Sequence, residues 1–196
     1  MSRAERRRRR EVNGLLMLDK PSGMTSNSAL LEVRRLFQAQ KAGHTGTLDP
    51  MASGVLPICL GHTTKLSGLW LDSGKRYRAT VQLGVQTTSG DADGETVATS
   101  DASGVTLAQL QAVVPPFIGH IWQVPPMLSA IKLSGQRLYA LAREGIEVER
   151  EPRRVEIAAL TIESFEAGTF VMDVTCGKGT YIRTLAEDLA AAIGQK

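Results

Sequence analysis

Cysteine is scarce: Cys59 and Cys176 are the only two in 196 residues, far apart and in no CxxC pair. That excludes a disulfide framework and a cysteine-based zinc site, and it suits a reducing cytoplasm. The three histidines, His44, His62 and His120, are too dispersed for a ligand pair at i, i+3 or i, i+4, and no GxSxG elbow accompanies them. Metal and serine-hydrolase chemistry therefore find no residue set. Apolar runs such as residues 55–60 fall far short of the roughly 18 residues that span a bilayer, so no membrane span is expected. The N-terminal arginines lead into no apolar stretch of the kind a secretory signal needs. Gly177-Lys178 is followed by Gly179 and Gly74-Lys75 by Arg76, neither with the spacing of a phosphate-binding P-loop.

What is present is the composition of a folded protein, with 42% hydrophobic and 22% charged residues, and a length that as a prior means one domain or one domain with an insertion. The net charge of +3 is unevenly spread. Residues 1–11 hold six arginines against two glutamates, whereas the remainder holds 17 basic and 18 acidic groups. The tail is expected to be a disordered, solvated segment or a nucleic-acid-binding arm, and any binding by the body must use a local patch.

Residues 14–18 read as a short buried strand stopped by the turn-forming run Asp19-Lys20-Pro21-Ser22-Gly23, which leaves Lys20 at a strand end. Ser26 or Asn27 is placed to cap a helix carrying Leu30, Val33 and Phe37 at helical spacing. Residues 43–54 form a glycine-rich shaped loop in which Asp49 precedes Pro50, a position biased towards extended backbone. Tyr77, Ala79, Val81 and Leu83 alternate with Arg76, Arg78, Thr80 and Gln82 as in a half-buried strand. Residues 86–104 read as a solvated loop, since an EF-hand register centred on Gly94 puts serines at both ends. Thr106 and Gln109 make a capping box before a helix that ends at Pro115-Pro116.

A second irregular region begins at Pro125-Pro126 and carries Lys132, Arg137, Tyr139 and Arg143, with a helix expected over 137–143. Residues 155–165 and 170–176 suggest paired strands, and the Gly177-Lys-Gly-Thr turn opens a helix with Ile182, Leu185, Leu189 and Ile193 on one side. Strands and helices in irregular order, without βαβ alternation, predict an α+β fold with a mixed, mainly antiparallel sheet. Three features could bear chemistry: the lone carboxylate Asp49, Tyr77 among arginines, and Tyr181 with Arg183 at a helix start. Each also has a plain structural use, as a turn residue, a core aromatic or a surface cation.

Five blocks resemble the TruB family of tRNA pseudouridine synthases. They are Gly14-Leu-Leu-Met-Leu-Asp-Lys-Pro-Ser-Gly-Met-Thr-Ser26, Gly43-His-Thr-Gly-Thr-Leu-Asp-Pro-Met-Ala-Ser-Gly-Val-Leu-Pro57, Lys75-Arg-Tyr77, Pro125-Pro-Met-Leu-Ser-Ala130 and Gly177-Lys-Gly-Thr-Tyr-Ile-Arg183. The resemblance implies the pseudouridine synthase fold, a largely antiparallel sheet with flanking helices and a central cleft, and isomerisation of uridine 55 in the tRNA T-loop. It implies Asp49 as the catalytic carboxylate, Tyr77 as stacking partner of the flipped uracil and proton acceptor, and Tyr181 as pocket wall. Arg183 would pair with Asp49, His44 would enter the opened T-loop, and Lys20 would support the site. Residues 124–152 resemble an RNA-gripping insertion, with Lys132, Arg137 and Arg143 as phosphate contacts.

The implied chemistry breaks the N1-glycosidic bond, turns the base and rejoins it through C5, so neither cofactor nor metal is needed. One carboxylate suffices because the base leaves and returns, whereas a glycosidase needs two carboxyls and a water. The target nucleotide must first be flipped out. The stand-alone pattern implies tRNA as partner, no obligatory protein partner, no membrane and a monomer. Family members continue with more of the catalytic domain and a PUA domain, so a chain ending at Lys196 is expected to be truncated. A non-catalytic RNA-binding or tRNA-folding module is the alternative from another class, and a guide-RNA-dependent enzyme the alternative within this one.

Overall fold

The computed structural model describes residues 9–133 and 135–196. Within these the chain forms two compact units, one ending at Ser73 and the other beginning at Gly74. Among the described residues no helix is long and apolar enough to cross a membrane.

The first unit is a three-stranded antiparallel sheet backed by a helix. Strand β1 (Gly14–Lys20) pairs with β3 (Gly54–Leu60) over its whole length, and β2 (Ala42–His44) flanks β3 on the other side. Helix α1 (Ser26–Leu36) contributes Ala29 and Val33 to a core with Leu56, Ile58 and Leu60, against which Leu16, Leu18 and Leu48 also pack. The shaped loop is thus shorter at its front than the sequence suggests, because its first residues are drawn into β2. The cap of α1 is Thr25, whose hydroxyl accepts from the Ser28 amide, and not Ser26 or Asn27. Ser26 is spent elsewhere. Of the expected basic tail, residues 1–8 lie outside the described residues, and Arg10 is bridged to Ala39.

After the short helix α2 (Ser67–Leu71), the second unit centres on a four-stranded antiparallel sheet. Its order is β4 (Lys75–Gln82), β11 (Thr169–Cys176), β10 (Arg153–Glu166) and β7 (Gly119–Gln123). The β10–β11 connection is a two-residue turn in which Ala167 and Gly168 both take positive φ, the twist that suits a tight hairpin. Helices α3 (Leu107–Val113), with its Thr106–Gln109 capping box, and α5 (Ile182–Ala192) cover one face through Leu110, Leu185 and Leu189. The solvated loop expected over 86–104 instead holds a hairpin, β5 (Val85–Thr87) with β6 (Thr96–Thr99). Strand β8 (Lys132–Leu133) pairs with β9 (Gln136–Arg137), and α4 (Leu138–Arg143) follows. Every named ladder is antiparallel, so the expected α+β fold is present with antiparallel sheets and not a mixed one.

Candidate active site

In the first unit the structure builds a rigid mount for the Asp49 loop. Lys20, at the end of β1, is completely buried, and its Nζ donates to the carbonyls of Pro21 at 2.8 Å, Met24 at 2.7 Å and Pro50 at 3.3 Å. The Gly23 amide also donates to the Pro50 carbonyl, at 2.8 Å. Gly23 takes φ +82, which favours glycine, and so brings its N–H round to that carbonyl. On the other side of Asp49, the Ser26 hydroxyl accepts from the Leu48 amide at 2.9 Å and donates to the Leu48 carbonyl at 3.0 Å. The Asp49 carbonyl receives the Ala52 amide at 3.1 Å, closing a turn over Pro50. Asp49 is half-buried. His44, at the end of β2, is half-buried too; burial lowers its pKa, countered in part by the Gly46 backbone, so the ring is mainly neutral at pH 7.

Burial likewise pushes the Lys20 pKa down, and the Asp49 carboxylate pulls it back up. Between that depressed value and the unfolded 10.5 the unfolded chain binds more protons at this position, so stability from Lys20 rises with pH across the window. Lys20→Met takes the ammonium donor from the Pro21 and Met24 carbonyls, while Pro50 keeps its bond from the Gly23 amide, and a buried acceptor left unpaired costs about 1–3 kcal/mol. Urea unfolding of both proteins at pH 7 and near pH 10 is expected to show the variant less stable at both, with the larger deficit at the higher pH.

The second unit positions the other candidates. Tyr77 lies on β4 opposite Val174, half-buried on the face that packs against the core. Its neighbours Arg76 and Arg78 alternate to the outer face, where Arg76 Nε meets both Asp173 oxygens at 2.9 and 3.0 Å and Arg78 reaches Glu163 at 2.6 Å. The arginines flanking Tyr77 in sequence therefore belong to a surface ion-pair lattice.

Tyr181 caps the N-terminus of α5 after the Gly177–Thr180 turn, in which Gly179 has φ +77 and Thr180 Oγ1 donates to the Gly177 carbonyl. The fully buried Gln123 holds both backbone groups of Tyr181, its Oε1 accepting from the amide at 3.0 Å and its Nε2 donating to the carbonyl at 3.2 Å. Arg183 donates to the Ser89 carbonyl at 2.6 Å and the Leu128 carbonyl at 3.0 Å, and its Nε lies 3.8 Å from Asp91. It thereby ties α5 to the β5–β6 hairpin and to the Pro125-to-Ala130 block. Gln123 carries no local sequence signal, because its partner lies 58 positions away, and the local partners of Asp91, Ser89 and Asp93, give no hint of Arg183. Lys132 is exposed on β8, while the side chains of Arg137 and Arg143 lie outside the described part of the structure. Among the described residues no group of three or more His, Cys, Asp or Glu could hold a metal ion.

The profile of the TruB family pseudouridylate synthase (N terminal domain) matches residues 34–182. The chain belongs to the TruB family. It is 54% identical over 189 residues to the tRNA pseudouridine synthase B of Methylobacillus flagellatus and 57% identical over 186 residues to that of Azoarcus sp.. Those alignments cover 96% and 95% of this chain but 62% of each relative, so this TruB chain spans less than two thirds of their length. A solved Cbf5-Nop10-Gar1 complex contains a chain with the same fold, at TM-score 0.71 and 29% identity, over 94% of this chain and 45% of that one. A second is the H/ACA RNP bound to a substrate RNA containing 2'-deoxyuridine, at TM-score 0.66 and 26% identity, over 92% and 43% respectively.

Proposed function

We propose that this TruB chain isomerises uridine to pseudouridine at position 55 of the tRNA T-loop, in the cytoplasm, as a monomer and without a cofactor. The observation that carries the proposal is the Asp49 loop, a family block whose backbone is pinned on both sides of its one carboxylate. Asp49 attacks the flipped nucleotide and the N1–C1′ bond breaks with its electron pair going to N1; the uracil turns, C5 bonds to C1′, Asp49 is released as a carboxylate, and N1 takes up one proton for the one that C5 loses. The C5 proton passes to Tyr77, whose ring holds the detached base by stacking worth about 1–3 kcal/mol. Tyr181 walls the base pocket and Arg183 braces that wall. Neutral His44 contacts the opened loop, and Lys20 holds the Pro50 carbonyl behind Asp49. The reaction requires that water be kept from the broken bond while the base turns.

Lys132, Arg137 and Arg143 serve as phosphate contacts beside this chemistry. Replacing all three with alanine is expected to weaken tRNA binding and flatten its salt dependence by about 0.9 in log–log slope for each lost contact. An unchanged slope in filter-binding titrations removes that role. The proposed reaction is tested by incubating the protein with tRNA tritiated at uridine C5 and counting released tritium. Release that depends on the T-loop uridine supports the assignment. T-loop binding without release supports an RNA-binding or tRNA-folding module instead, and copurifying guide RNA points to a guided enzyme.

A further inference from the structure

Ser26 sits 22 positions before Leu48 and yet its hydroxyl bonds both backbone groups of that residue, accepting from the amide and donating to the carbonyl. It is 2% exposed and the helix it opens is capped by Thr25, so its hydroxyl neither meets solvent nor serves as the helix cap. Leu48 is held at its other end as well, because its side chain packs into the core of the first unit. The Leu48 carbonyl belongs to the peptide bond that leads into Asp49. Two residues on, the Pro50 carbonyl is fixed by Gly23 and Lys20, and the Pro50 ring limits the backbone between. The Cα–Cβ direction of Asp49 is therefore set by two anchored peptides.

Resting on the proposed role of Asp49, we infer that Ser26 is a positioning residue for that carboxylate. It acts through the Leu48 peptide and touches no substrate. A carboxylate that must approach a reacting carbon gains from being held in one geometry, and a misplacement of about 1 Å costs on the order of 10²-fold in rate. Removing the hydroxyl frees the peptide ahead of Asp49 while leaving Thr25, Lys20 and the sheet intact. The effect falls on rate and not on affinity.

The test compares Ser26→Ala with Ser28→Ala, a same-turn control whose hydroxyl bonds only to Thr25. Four quantities are read: single-turnover tritium release, tRNA dissociation constant, exchange of the Leu48 amide against that of Ile58 in β3, and the three-bond couplings that report the Asp49 χ1 rotamer. For Ser26→Ala the expected result is a rate about 10- to 100-fold lower with tRNA affinity within twofold. Leu48 exchange rises about tenfold while Ile58 stays protected, and the Asp49 couplings average over rotamers. Ser28→Ala leaves all four near wild type. A Ser26→Ala protein whose folded fraction reacts at the wild-type rate, or whose Asp49 couplings do not change, overturns the inference. If the wild type itself releases no tritium, the proposed reaction is what fails. The exchange and coupling measurements still decide the clamp in that case: unchanged values overturn it and averaged ones support it.

Discussion

Asp49→Asn is expected to eliminate tritium release, a loss on the order of 10⁴-fold or more, the scale seen when a reacting group is removed. The substitution keeps the size and planarity of the side chain and removes the charge on which the proposed reaction depends. The backbone anchors of the mount run through other groups: Ser26 holds Leu48, Gly23 and Lys20 hold Pro50, and the Ala52 amide bonds to the Asp49 carbonyl. Folding and tRNA affinity should therefore survive, with thermal unfolding and filter binding close to wild type. One side effect is foreseen. Asp49 raises the Lys20 pKa, so its neutralisation lets burial depress that lysine further. A variant that retained release above a hundredth of the wild-type rate, while binding tRNA normally, would exclude Asp49 as the attacking group.

The parts of the fold legible in the sequence are those where one period dominates. The alternation from Tyr77 to Val81 became β4, the pair around Ala167-Gly168 became β10 and β11, and Leu185 and Leu189 are the core face of α5. Thr25 and Ser26 show why the rest was hidden. Adjacent hydroxyls compete for the same cap, and what sends Ser26 to Leu48 is a tertiary contact without a local pattern. The β5–β6 hairpin is short and polar, so it lacks the apolar alternation that reveals β4. The candidate residues were legible as blocks, but their holders were not: Gln123 lies 58 positions from Tyr181 and Ser89 lies 94 from Arg183.

Arg183→Met is expected to cause the largest loss of stability among single changes at these candidate positions. The side chains of Arg183 and Asp91 are each only 12% exposed. Methionine fills most of the arginine volume but leaves the Ser89 and Leu128 carbonyls without that donor and Asp91 without its cation. Breaking a buried pair at one end costs about 3–5 kcal/mol, because the remaining charge stays buried. For a chain of this size that corresponds to a melting temperature lower by roughly 10 °C. Arg183→Lys should recover little of it, since a single ammonium cannot match a planar fork that reaches two carbonyls and a carboxylate together. The share due to the ion pair is separable. In a double-mutant cycle Asp91→Asn should be much less damaging in the Arg183→Met background than alone, with a coupling of about 1–3 kcal/mol. Additive losses across that cycle would show that Arg183 braces α5 through the two carbonyls alone, and that Asp91 contributes to the hairpin through its own turn, where it already accepts the Asp93 amide.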